Sequence, residues 1–152
     1  VQKKTAYLAC AQMLRPDHEL RFMMVNQLQR DLQSINHLQI CTGLIALAKL
    51  GTKDMIPAMI GLVAECLKNS EAVVRKKAIM VMHRFYQLDN PSVEDYHDHF
   101  RRTLCDKDPS VMGSALHVLG DLAEANPLYS DTIISLSAVG VFLPSQSPPS
   151  FS

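Results

Sequence analysis

A chain of 152 residues that is 47% hydrophobic has room for one domain with a real core, and 6% aromatics with no Trp suit packed helices better than a sandwich or barrel. Fifteen basic and fifteen acidic residues cancel, which argues against a general nucleic-acid binder, whose phosphate affinity needs a basic excess. Residues 1–8 lack the apolar core of a secretory signal, and the stretch 133–143, broken by Ser135, Ser137 and Gly140, falls far short of the ~20 residues a membrane span needs.

Along the chain one spacing keeps returning: a small residue, a large apolar one next to it, and apolar residues four and seven positions on. Ala6, Tyr7, Cys10 and Met13 are the first copy, closed by Arg15-Pro16-Asp17. A stripe of Leu20, Met23, Met24 and Leu28 follows, then the second copy at Gly43, Leu44, Leu47 and Leu50. Gly51 is expected to stop that helix and Asp54 to cap the next, with Pro57 in its first turn and Ile56, Ile60, Val63 and Leu67 on its inner face. The third copy is Ala78, Ile79, Met82 and Phe85. Beyond it Ser92 and Asp95 stand in capping-box spacing ahead of Tyr96, Phe100 and Leu104. Asp108-Pro109 then places a cap before proline at the first helical position of the fourth copy, Ala115, Leu116, Leu119 and Leu122.

Offsets of one, four and seven lie on one helical face. The small residues are separated by 37, 35 and 37 positions, giving seven helices in two alternating classes and a repeat of about 36 residues. Tetratricopeptide units have a similar ~34-residue period, but their Trp and Tyr signature is absent. Val74-Arg75-Lys76-Lys77-Ala78 fits the V-R-x-x-A helix of HEAT units, and Asp108-Pro109-Ser110-Val111 with Ala115 fits their D-P-x-V opening. Met112 replaces the usual Arg there, so a polar ladder between repeats is expected to be incomplete. The fold class read from this is all-α, a right-handed α-solenoid of HEAT/armadillo-like repeats, over residues 1–127.

Residues 128–152 break the pattern. No charge follows Asp131, and Ser and Pro crowd the last nine positions, so this segment is expected to be a divergent, disordered tail. It reads as a replacement of the ancestral continuation, through alternative splicing or an altered reading of the gene. Neither end shows the polar cap of a complete solenoid, so the chain reads as three to four repeats of a longer trunk.

Lys3-Lys4-Thr5-Ala6-Tyr7-Leu8-Ala9 and Asn26-Gln27-Leu28-Gln29-Arg30-Asp31-Leu32 resemble the amino-terminal trunk of large adaptins. His83-Arg84-Phe85 and the run from His99 through Asp108-Pro109 to Met112 are more similar to the epsilon type, from the fourth adaptor-protein complex, than to the alpha or gamma types. The resemblance spans about residues 1–129. It implies a subunit of a heterotetrameric vesicle coat with two large chains, including a beta-type one, a medium mu-type and a small sigma-type chain. It further implies recruitment to the trans-Golgi network by an Arf-type GTPase, peripheral membrane association, and sorting of transmembrane cargo through the complex. No nucleic acid and no cofactor are implied.

Lys3 and Lys4 share repeat positions with Arg75 and Lys76, and with Lys77 they could form a basic strip for an anionic surface or a partner, worth ~1 kcal/mol per residue near a membrane. A solvated helix edge with an inter-repeat ladder fits the same residues. No catalytic or metal site is expected. His97 and His99 point about 200° apart on a helix and cannot share an ion, the sequence around Cys105 and His83 carries no base-and-orienter pattern for nucleophilic catalysis, and no phosphate-loop or nucleophile-elbow motif occurs. Cys10, Cys41, Cys66 and Cys105 are read as reduced, small core residues in cytosol or nucleus, and Met55, Met59, Met80 and Met82 as adaptable core. The alternative function is a generic HEAT scaffold, such as a nuclear transport receptor or phosphatase scaffold.

Overall fold

The computed structural model describes residues 2–15 and 17–125; the expected boundary at 127/128 and the tail beyond it lie outside them. Seven α-helices are present among the described residues, and no strand. They are α1 (Gln2–Met13), α2 (Leu20–Leu32), α3 (His37–Leu50), α4 (Ile56–Cys66), α5 (Ala72–Leu88), α6 (His97–Thr103) and α7 (Pro109–Ala125), with 3-10 turns at Lys53–Met55 and Pro91–Tyr96. Two compact units divide the chain, Val1–Leu116 and His117–Ser152.

In the first unit α1 packs on α3 and α3 on α5, while α2 packs on α4 and α4 on the Pro91–Tyr96 turn. The pairs α2–α3 and α4–α5 join these two layers. The alternation of helix classes seen in the sequence is therefore an alternation of layers, the arrangement of a HEAT-like solenoid. Helices of 11–17 residues are marginal alone, so packing must hold them. Leu44, Leu47, Met59, Val63, Ala78, Ile79, Met82 and Phe85 are wholly buried. Burying each large apolar side chain contributes about 1.5–3 kcal/mol. α3, in contact with α1, α2 and α5, buries Ile40, Cys41, Leu44, Ala46, Leu47 and Leu50, which explains an apolar surface nearly all round the helix.

Gly43 meets the expectation for its small-residue position: a Cβ there would lie 3.2 Å from the Asp31 Cβ and 3.4 Å from Leu32, so α2 and α3 approach closely. Ala6, at the same repeat position in α1, is exposed, and so is Met13 at 83%. Gly51 is not a left-handed stop, since its φ is −56°. Its lack of a Cβ matters for space instead, because a Cβ would stand 2.6 Å from the Leu47 carbonyl oxygen that its own N–H already bonds. Gly51→Ala is expected to destabilise the chain by about 1–3 kcal/mol in urea unfolding.

Other local expectations are corrected. Asp54 does not cap α4; it sits inside the Lys53–Met55 turn, and Met55 precedes the helix with no side-chain cap. The Ser92 hydroxyl donates back to Asp89 and builds no capping box, because Pro91–Tyr96 winds as a 3-10 turn. That carboxylate also pairs with Lys53 at 3.0 Å. Asp108 does cap α7, accepting the Ser110 N–H at 2.8 Å. Cys105 lies exposed in the turn after α6 and is not a core residue, and Met80 faces outward on α5. In the second unit, residues 117–125 continue α7, with His117 Nδ1 3.5 Å from Asp121 and Val118, Leu119 and Leu122 buried.

Candidate interaction surfaces

The outer faces of this helix stack are set by which charges the interior consumes. Asp31, in the last turn of α2, has a side chain with 0% exposure. It accepts from Lys3 Nζ (2.8 Å) and Tyr7 Oη (2.7 Å) on α1, Gln27 Nε2 (2.9 Å) on α2 and Gln39 Nε2 (2.8 Å) on α3. Burial alone pushes this carboxyl up, but the four donors together outweigh it and hold it below the usual range. Tyr7 answers in the opposite sense: burial, then the bond to the carboxylate, raises its phenol above the ordinary value.

Two guanidinium groups do similar work. Arg21 donates to the carbonyls of Leu14 (2.6 Å) and Leu50 (2.9 Å), placing a cation at the negative ends of α1 and α3. Arg75 makes a two-pronged pair with Asp106, Nε and Nη2 at 2.7 and 2.8 Å, and Nη1 reaches the Asn69 and Ser70 carbonyls. Both side chains of the pair are nearly enclosed, 7% and 10% exposed. The hydrogen bond to Asp106 raises Arg75 and, from the other side, lowers Asp106. Arg21 and Asp31 link successive helices, and Arg75 on α5 links the turn before it to the turn between α6 and α7. The ladder thus exists, but it runs through Arg21, Asp31 and Arg75 rather than through the position of Met112.

This placement bears on the five basic residues. Arg75 is buried and paired, and the Lys3 ammonium is bound to Asp31 although its stem is half exposed. Lys4 and Lys76 are exposed and Lys77 is half-buried. Of the five basic residues expected to form a strip, Lys4, Lys76 and Lys77 thus remain without a buried ion pair among the described residues. Among them stand two exposed apolar side chains at equivalent repeat positions, Leu38 on α3 and Val73 on α5. Gln2, Lys3, Lys4, Asn36, Leu38, Gln39 and Thr42 line a recess of about 500 Å³ there.

The α2 stripe departs from expectation. Leu28 is buried, but Leu20 and Met23 are 46% and 72% exposed. The face of α2 that packs inward carries Arg21, Leu28, Asp31 and Leu32, because α2 lies on α3 and α4 and packs little on α1. The other side opens on a groove of about 550 Å³ lined mainly by Ala6, Tyr7, Cys10, Leu14, Met23 and Met24. One repeat along, α2 itself lies across α3 and α4.

All four cysteines are free. Burial raises the thiols of Cys41 and Cys66, the latter to about 11, which leaves little thiolate for nucleophilic chemistry at neutral pH. Among the described residues no three His, Cys, Asp or Glu groups converge as a metal site, and no helix is long and apolar enough to cross a membrane.

Residues 1–139 match the family described as the adaptin N terminal region, a match that continues past Tyr129. The chain is 41% identical over 138 residues to "AP-4 complex subunit epsilon" of Arabidopsis thaliana, covering 90% of this chain and 15% of that protein. It is 38% identical over 134 residues to the protein of that name from Dictyostelium discoideum, with 86% and 12% covered. To "AP-4 complex subunit epsilon-1" of Mus musculus it is 35% identical over 118 residues, with 78% and 10% covered. The chain thus spans only 10–15% of the length of these curated relatives.

Proposed function

This chain belongs to the adaptin N-terminal region family, and on that premise we propose that it serves as trunk of an epsilon-type large subunit in a vesicle-coat adaptor complex. It acts as a scaffold in intracellular protein transport. Its work is protein–protein binding rather than catalysis. The observation that carries this reading is the pairing of high identity to epsilon chains with a helix stack whose buried charges are consumed in joining repeats. A stack fixed in this way holds its outer faces at set spacings, which is what a subunit cradling other chains requires. The proposed partners are the small sigma-type, medium mu-type and beta-type chains, with an Arf-type GTPase and transmembrane cargo reached through the complex at the trans-Golgi network. The neutral balance of the chain speaks against the acidic inner face expected of a transport receptor.

Co-expression with the small sigma-type chain tests this directly. A stable complex on size exclusion is expected, and a folded chain that never retains the small chain would remove the reading. The basic strip is a separate proposal, that Lys4, Lys76 and Lys77, flanked by Lys3 and Arg75, face an anionic membrane surface. Reversing Lys76 and Lys77 to Glu is expected to lower binding to anionic vesicles about thirtyfold or more at low salt, since each lysine near such a surface contributes ~1 kcal/mol. Unchanged binding would reject the strip while leaving the subunit assignment intact.

A further inference from the structure

We propose that the pocket between the end of α4 and α6 binds a phosphate-type oxyanion. It is lined by Leu67, Lys68, His99, Arg102, Thr103 and Asp106 and holds about 120 Å³. At ~30 Å³ per water molecule that is room for about four waters, the size of one tetrahedral oxyanion and well below the ~300–1,000 Å³ of sites for drug-sized ligands.

The lining supplies donors from two elements. His99 and Arg102 stand three residues apart on α6 and so share a face. Lys68 comes from the turn that ends α4. Arg102 is exposed and has no acidic partner among the described residues. Lys68 reaches back to Glu65 at 2.8 Å, but both side chains are more than half exposed, and such surface pairs are weak and salt-screened, so the ammonium can turn to an anion. The His99 ring stacks obliquely on Tyr96, centroids 5.7 Å apart, and its Nδ1 is enclosed without a hydrogen-bond partner.

Three features could repel an anion, and each is engaged: the Glu65 carboxylate pairs with Lys68 at 2.8 Å. Asp106 is the one acidic lining residue; Arg75 bonds both of its oxygens and the Asp108 N–H bonds one of them as well. The carbonyls at the end of α4 are engaged: Val63 and Ala64 by the Leu67 N–H, Glu65 by Lys68 and Cys66 by Asn69. Glu65 offsets Lys68 in the empty pocket, so the uncompensated charge there is that of Arg102, to which Lys68 adds when its ammonium turns from Glu65 to the anion.

The test is a titration of the full chain with inorganic phosphate, followed by amide NMR, against chloride at equal ionic strength. Saturable shifts confined to the signals around Lys68 and from His99 to Asp106 are expected, with none around Lys4, Lys76 and Lys77. Arg102→Gln and Lys68→Gln, both at exposed positions, should each weaken phosphate binding about tenfold or more with the fold intact by circular dichroism. Shifts that never saturate, that spread equally over all lysines, or that persist in the Lys68→Gln/Arg102→Gln double variant would overturn the site. Flotation with phosphatidylcholine vesicles, with and without phosphatidic acid, then separates the sources. Flotation abolished by Arg102→Gln identifies a lipid phosphate; no flotation beside intact phosphate binding identifies a soluble phosphomonoester.

Discussion

Replacing Asp31 with Ala is expected to cost the fold about 3–5 kcal/mol in urea unfolding, because it orphans a buried set of donors around a lost charge. Lys3, Tyr7, Gln27 and Gln39 all converge on this one carboxylate, and through them α1, α2 and α3 are fixed to one another. Tyr7→Phe, which removes a single donor, should cost about 1–2 kcal/mol. Hydrogen exchange in the Asp31→Ala protein should rise most in α1, which is then held by its packing on α3 and by the Arg21 bond to the Leu14 carbonyl. The acid limb follows from the same geometry. In the fold this carboxyl lies below its unfolded value, so as pH falls the unfolded chain takes up the proton first. The contribution of Asp31 is therefore complete above pH ~4 and is lost progressively below it. Asp31→Asn, which does not titrate, should flatten that part of the stability profile.

Breaking the Arg75–Asp106 pair is the second large effect. Either Arg75→Ala or Asp106→Ala should destabilise by about 3 kcal/mol, since each leaves an enclosed charge without its partner. The double variant should lose clearly less than the sum of the two, a coupling of about 1–3 kcal/mol measured by the double-mutant cycle. Arg75→Lys should not restore stability, because an ammonium cannot reproduce the two-pronged contact and the bonds to the Asn69 and Ser70 carbonyls together. Asp106, like Asp31, is held below its unfolded value, first by the bond to Arg75, so its contribution also fades as pH drops below ~4.

The helices were legible because burial writes itself into sequence as a 3.6-residue period. Leu44, Leu47 and Leu50, or Ile79, Met82 and Phe85, can be read as a buried face without knowing their neighbours. The joints were not legible, since nothing local distinguishes a buried Asp from a solvated one. Asp31 ends a polar run, and the donors that enclose it lie up to 28 residues away. Arg75 adjoins Lys76 and Lys77 in sequence and looks like one of them, while its partner Asp106 stands 31 residues on. The α2 stripe misled for a related reason. Periodicity finds an apolar face but not which neighbour covers it, and α2 turns its Arg21–Leu28–Leu32 side inward while Leu20 and Met23 face the groove. Turn chemistry failed at Asp54 and Ser92, where 3-10 turns precede the α-helices and shift their starts. Of the basic strip, the sequence located the lysines but could not tell which charges the interior had already taken.

The proposed scaffold role makes a single demand on the described helices: a partner chain must cover their outer faces while the joints stay as they are. Hydrogen exchange of the full chain, alone and with the small sigma-type chain, measures this directly. A stoichiometric complex is expected in which exposed helix faces gain protection, with amides around Asp31 and Arg75 already protected in the free chain. A chain that is folded, with both joints protected, and whose exchange is unchanged by the small chain at any concentration would contradict it.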